Sequence, residues 1–390
     1  VLQAGIPIWT DTSLVRLTGD GQRVTGAVLS HAGREVTVTA RRGVVLAAGG
    51  FDHDMAMRHK YQSDSLGDHE SLGADSNTGE AIRAATELGA ATALMDQAWW
   101  FPAVASANGR PPAVLLAERS LPGSLIVDHD GKRFANESTD YMSFGQRVLE
   151  LERAGTPIES MWIVFDQKYR NSYVFAAGSF PRMPLPKSWY KAGIAAKATN
   201  FVDLAAQMGV PVADFEQTMT RFNESAAAGI DPDFDRGLSA YDRYYGDPTV
   251  TPNPNLRPLV KGPFYAVKMT LSDLGTCGGV VADERGRVHR EDGGVIEGLY
   301  ALGNTAANAF GAVYPGAGAT IALGSQPCSG MRAAFAAPNI RSRSRTFPVV
   351  AFTFPGNNPP GMNAVEPATA CTPIIPGRNR ISDAPTSMPR

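Results

Sequence analysis

Three glycine-bearing segments carry the strongest chemical pattern in the chain: Leu46 to Phe51 (LAAGGF), Gly298 to Asn304 (GLYALGN) and Tyr314 to Thr320 (YPGAGAT). The first two read as apolar strands ending in small residues, with Ala48, Gly49 and Gly50 closing one and Gly303 and Asn304 the other. A strand ending in glycine lets a ligand or a second backbone come close. In the third segment Gly316, Gly318 and Ala319 lead into an apolar helix. The free N–H groups and dipole of a helix start favour a planar or anionic group in front of it. One such loop is an ordinary turn; three in this order describe a cofactor geometry. Asn77-Thr78-Gly79 opens a helix, either as cap and turn alone or as a further contact to a bound group. Asn304 reads either as a helix N-cap or as a cofactor contact.

The elements that must position these segments follow from hydrophobic pattern. Arg23–Leu29 and Arg34–Ala40 read as strands around a turn at His31-Ala32-Gly33, the second half-buried by its alternation. Gly43 to Gly50 reads as a strand buried on both faces. A helix begins near Glu80 and ends at Gly89. Residues 100–265 are mixed and rich in aromatics, with a strand at Ser124–Asp128, helices at 201–209 and 212–228, and a long polar loop from Asp231 to Pro258. A strand-and-glycine style returns after Val280. The pattern is that of one α/β domain interrupted by an insertion. Ser325–Arg390 holds 11 of the 28 prolines, seven arginines and two acids, so it reads as an irregular, disordered tail.

Composition excludes several classes. With 36 basic and 38 acidic residues the net charge is −2, so a globally basic nucleic-acid binder is excluded. No apolar run approaches the ~20 residues that span a bilayer. Val1-Leu2-Gln3 shows no signal-peptide pattern, so the expected location is cytoplasmic; the absence of an initial methionine suggests a chain that begins inside a longer protein. The three cysteines contain no CxxC pair, the six histidines show no metal spacing, and Cys277 reads as packing; no metal is expected.

With the insertion between them, these segments resemble the flavoproteins of the fumarate reductase and succinate dehydrogenase superfamily, and more narrowly the 3-ketosteroid Δ1-dehydrogenases. The resemblance covers about residues 1–324 and includes Gly123 to Glu137 (GSLIVDHDGKRFANE) and Asp273 to Gly279 (DLGTCGG). It implies a partial FAD-binding domain (1–100 and 268–324) interrupted by an inserted α+β substrate, or cap, domain (101–267). The chain departs from dicarboxylate enzymes where it matters. Those carry an arginine proton donor four residues after the Asn-Glu pair, where this chain has Tyr141. Leu274 and Gly275 replace their histidines, and Trp99-Trp100-Phe101-Pro102 replaces their substrate clamp. Aromatics in place of cations suit a flat apolar substrate.

The resemblance implies FAD as cofactor and 1,2-dehydrogenation of a 3-ketosteroid, with hydride leaving C1 for flavin N5 and the C2 proton going to Tyr141. Tyr314 and the backbone N–H of Gly318 map onto the groups that bind the C3 oxygen. Ala48, Gly49, Gly50, Asn77, Thr78, Gly79, Gly303, Asn304, Gly316 and Ala319 map near the cofactor. An artificial or quinone-type electron acceptor is expected. The alternatives are a Δ4-type ketosteroid or other enone flavoenzyme, and a non-catalytic fragment. No GxGxxG occurs in the chain, and no counterpart to the family's assisting N-terminal tyrosine. The chain therefore reads as a central-to-C-terminal piece with an altered end, in which family membership and activity are separate questions.

Overall fold

A computed structural model of the chain describes residues 6–68, 70–106, 111–176 and 178–314. Gly316, Gly318, Ala319 and the 325–390 segment lie outside the described residues. The chain opens as an antiparallel meander of β1 (Thr12–Gly19), β2 (Val24–His31) and β3 (Arg34–Thr39). The Ala32-Gly33 turn holds both residues at positive φ, 47° and 77°. β3 lies at the sheet edge and is half-buried as its alternation suggested, Val36 and Val38 part-buried between exposed neighbours. Next come β4 (Val44–Leu46), α1 (Met55–Tyr61), α2 (Glu80–Thr86) and β5 (Thr92–Ala93).

The middle of the chain forms a second sheet. Its elements are β6 (Ala98–Val104), β7 (Ala113–Val114), β8 (Ser124–Val127), α3 (Tyr141–Arg153), β9 (Met161–Asp166), α4 (Gln167–Ser172), α5 (Lys187–Lys191) and β10 (Ala195–Ala198). They continue with α6 (Phe201–Met208), α7 (Val212–Ala228), α8 (Ala240–Tyr244) and β11 (Phe264–Thr276). The strand order is β7-β6-β11-β9-β8, and β10 also pairs with β11. Side-chain alternation divides this sheet between two cores. Met161, Ile163 and Phe165 of β9 join Phe144 and Val148 of α3 on one face. Trp162 and Val164 join Phe215 and Met219 of α7 on the other.

After β11 the chain returns to the first region through β12 (Gly279–Val280), β13 (Arg287–His289) and β14 (Val295–Ala301). β12 pairs with β5, and β14 pairs in parallel with β4 across most of the described chain. Leu46, Phe51, Ile82, Ala85, Val280 and Leu299 share a separate core. No helix among the described residues is long and apolar enough to cross a membrane.

The Asp231–Pro258 stretch, read as a long polar loop, carries structure of its own. It contains α8, and Asp231, Arg236, Asp242, Asn253 and Asn255 are all buried. Its charges are neutralised by partners rather than by water.

Candidate active site

Tyr141 is the first residue of α3. Asp140 caps the helix, its carboxylate accepting from the Ser143 N–H at 2.9 Å, the arrangement that satisfies an open helix start. Tyr141 is therefore held where the helix leaves its loop, and it is only 4 % exposed. Its ring stacks on Phe101 of β6, with centroids 4.6 Å apart. Strand alternation places Trp99 and Phe101 beside Tyr141 and sends Trp100 into the core beneath α3.

Tyr314 meets Tyr141 edge to face at 4.7 Å. The two candidate catalytic tyrosines, far apart in sequence, thus share one aromatic cluster. Tyr241 of α8, which sequence reasoning did not single out, meets the Tyr314 ring at 5.6 Å and Tyr245 at 5.4 Å. The Tyr241 hydroxyl is buried and has no hydrogen-bond partner among the described residues. Burial pushes its ionisation up, while the nearby Arg119 guanidinium pulls the other way. Cys277 packs in the same cluster, and burial raises its thiol well above the ordinary range, which keeps it unreactive. Among the described residues no group of His, Cys, Asp or Glu could hold a metal ion.

A buried ionic frame holds the approach to Tyr141. Arg133 grips Glu137 with two hydrogen bonds of 2.7 Å and Asp231 with two of 2.8 Å. Arg236 donates to Glu137 at 3.3 Å and to the Ser124 carbonyl at 2.7 Å. Burial disfavours the Arg133 charge, but Glu137 and Asp231 more than offset it and its pKa rises. Asp231 is lowered in turn, Arg133 overcoming the effect of burial. Asn255 ties the frame together, donating to the carbonyls of Ser120 at 2.9 Å and Asp242 at 2.7 Å. The Arg133–Glu137 spacing was visible in GKRFANE, but nothing in the sequence marked Asp231 or Arg236 as its partners.

The residues proposed to face a cofactor fall in two groups. One group lies at the carboxyl ends of the parallel strands β4 and β14, where open α/β sheets place their ligands. Gly49 and Gly303 both adopt positive φ there, 78° and 64°. The Leu302 N–H donates to the Leu46 carbonyl at 3.0 Å. The Thr305 hydroxyl accepts from the Ala48 N–H at 3.0 Å and donates to the Gly49 carbonyl at 2.8 Å. This edge is open: Ala48, Gly303 and Asn304 are half-buried, and a Cβ on Gly303 would meet nothing within 4 Å.

The other group is occupied by internal ties. Asn77 donates to both oxygens of Asp52 at 3.1 and 3.2 Å. Its side chain fills the space where a Gly49 Cβ would sit, and Thr276 does the same at Gly50. Thr78 donates to Glu80, and the Gly79 N–H donates to the Gly50 carbonyl at 3.1 Å. Asn77, Thr78, Gly79 and Gly50 therefore shape the 48–50 turn from behind. DLGTCGG fixes the same turn from the other side. Asp273 pairs with Arg58 at 2.6 Å, and Thr276 accepts from the Phe51 N–H at 3.2 Å. The open β4–β14 edge, with glycine backbone and small side chains, fits the flavin-proximal part of an FAD.

Comparisons with known proteins agree with this geometry. A family model described as FAD binding domain matches residues 1–321. The chain is 45 % identical over 329 residues to a 3-oxosteroid 1-dehydrogenase of Mycolicibacterium smegmatis, covering 82 % of this chain and 57 % of that protein. It is 39 % identical to a 4-oxocyclohexanecarboxylate 2-dehydrogenase of Sinomonas cyclohexanicum, covering 77 % of this chain and 52 % of that protein. The crystal structure of a 3-ketosteroid Δ1-dehydrogenase from Sterolibacterium denitrificans, in complex with 1,4-androstadiene-3,17-dione, superposes with a TM-score of 0.79 at 38 % identity. That match covers 85 % of this chain and 60 % of that one. The chain spans just over half the length of these relatives. The chain belongs to the FAD binding domain family, and its similarity within that family runs to the 3-oxosteroid 1-dehydrogenases.

Proposed function

We propose that this site desaturates a 3-ketosteroid between C1 and C2. The observation that carries the reading is the meeting of Tyr141 and Tyr314 within one aromatic cluster. When bound, FAD supplies the acceptor for the two electrons and hydrogen that leave C1. Tyr141, once its own hydroxyl proton has passed to water, takes the C2 proton on the phenolate oxygen. Tyr314, with the Gly318 N–H, holds the C3 ketone oxygen, and polarising that ketone acidifies the C2 proton. Phe101, Trp99 and Leu274 supply apolar surface that suits a flat ring system and keeps water from the acidified carbon.

Ala48, Gly49, Gly303 and Asn304, with Gly316 and Ala319, are the proposed flavin contacts, while Gly50 and Asn77–Gly79 act by holding the turn. The separate core of Leu46, Ile82 and Leu299 supports a flavin domain (1–100 and 268–324) interrupted by a substrate domain (101–267), with Ala98, Trp100, Met269 and Leu271 packing into the middle core at the junction. A quinone-type acceptor is proposed for reoxidation.

The similarity to a dehydrogenase of 4-oxocyclohexanecarboxylate favours one second reading, a smaller cyclic ketone as substrate. Comparing kcat/KM on a 3-ketosteroid and on 4-oxocyclohexanecarboxylate separates the two. The steroid reading requires preference for the larger ring system, and loss of about a hundredfold or more in kcat on Tyr141→Phe. Preference for the small acid, or full activity of Tyr141→Phe, would reject it.

A further inference from the structure

Arg119 is not among the residues to which the resemblance gives a role. It lies on a short turn, Glu118–Ser120, and is 1 % exposed. Its side chain reaches the start of α3 at three points. One nitrogen donates to the carbonyl of Glu137 and, at 2.6 Å, to that of Thr139, the residue before the Asp140 cap. The guanidinium also lies 5.9 Å over the ring of Phe144 in α3. From behind, its own carbonyl accepts from Arg236 at 3.1 Å.

Tyr241 lies near enough for its ionisation and the Arg119 charge to act on each other. Among the described residues, the Arg119 Nε and Nη2 are buried without a hydrogen-bond partner, as is the Tyr241 hydroxyl. The two side chains feel each other: burial lowers the Arg119 pKa, while Tyr241 and Asp140 oppose that effect. Tyr241 in turn sets its ring edge against Tyr314. A buried cation with open donors costs stability and needs a compensating role.

We propose that Arg119 is a positioning residue that sets Tyr141 and Tyr314 against each other, the first through the chain entering α3 and the second through Tyr241. The proposal rests on the desaturation reading for its consequence, but not for its test. One guanidinium nitrogen serves both carbonyls, and its rigid plane carries two further nitrogens at fixed angles, which an ammonium lacks.

The test uses the full chain labelled with 3-fluorotyrosine and read by fluorine NMR, with single Tyr→Phe variants to assign the signals. Arg119→Lys keeps the charge and loses the fork. It is expected to shift the signals of Tyr141, Tyr241 and Tyr314 and to leave that of Tyr61, which packs against Phe51 in the other core. Tyr241→Phe, which removes one oxygen, is expected to shift the Tyr314 signal. With a 3-ketosteroid, Arg119→Lys should lower kcat about ten- to a hundredfold with little change in KM, as for small misplacements of reacting groups. Unmoved Tyr141 and Tyr314 signals would overturn the proposal, and so would a shift of every signal including Tyr61. If Arg119→Lys does not fold, Tyr241→Phe decides: an unmoved Tyr314 signal rejects the proposed connection. Absence of ketosteroid turnover in the unsubstituted chain would instead reject the functional reading, while the tyrosine signals still decide the positioning claim.

Discussion

A tyrosine is a weak base at neutral pH, so the chemistry proposed for Tyr141 depends on what polarises the substrate. In the proposed mechanism that work falls to Tyr314 and the Gly318 N–H. Tyr314→Phe leaves the ring contacts with Tyr141 and Tyr241 in place and removes a single donor. It is expected to lower kcat about a hundred- to a thousandfold, the usual effect of one missing oxyanion donor, with folding unchanged by circular dichroism. A second residue, Glu70, governs stability. Burial raises its pKa to about 7, with Arg58 opposing and Asp273 adding to the rise. The folded chain then binds a proton that the unfolded chain has released, so this contribution is full below about pH 4.5 and is lost as pH rises through 7. We expect Tm to fall across that window, and Glu70→Gln to flatten the fall and raise Tm at pH 8. An unchanged slope in the variant would show that Glu70 titrates normally. Little of this was legible in the residues alone. Tyr141 and Tyr314 stood out only through the order of motifs around them, and Tyr241 and Arg119 not at all, because burial and neighbours give them their character.

At the scale of elements, the position of Tyr141 depends on how closely α3 lies on β6. Gly145 makes that approach possible, since a Cβ there would fall 2.2 Å from the Trp100 Cβ and 3.0 Å from Leu271. Alanine in a helix normally gains about 1 kcal/mol over glycine. Here overpacking, at about 1–3 kcal/mol, should win. Gly145→Ala is expected to lower the denaturation midpoint in urea and to lower kcat by displacing Tyr141; a stabilised, fully active variant would contradict this packing. The short strands and the helices with clear periodicity, α6 and α7 among them, were readable from pattern. The central strand β11 and the aromatic strand β6 were not, because strands covered on both faces lose their alternation. The Asp231–Pro258 stretch misled for the opposite reason. Its polar composition gave no sign of a helix or of burial, yet Asp231 and Arg236 are neutralised inside the fold by Arg133 and Glu137.

Across the whole molecule, β11 is the physical link between the two cores. It pairs with β9 and then β6 along its length in the middle sheet, and its end places Asp273 against Arg58 and Thr276 against Phe51 of the other core. Beyond it, the Asn308 N–H donates to the Cys277 carbonyl at 2.9 Å, leading the chain directly to Tyr314. The candidate flavin edge and the tyrosine cluster are thus fixed to one another by a single strand. The measurement that tests this account most directly is flavin reduction by substrate. The full chain is loaded with FAD, freed of excess by gel filtration, and mixed anaerobically with a 3-ketosteroid saturated at C1–C2. The account predicts retained flavin, bleaching of its absorbance on mixing, and a product with a new C1–C2 double bond, all but the first lost in Tyr141→Phe. A chain that keeps no flavin, or that keeps it and leaves it oxidised in the presence of the steroid, would contradict it.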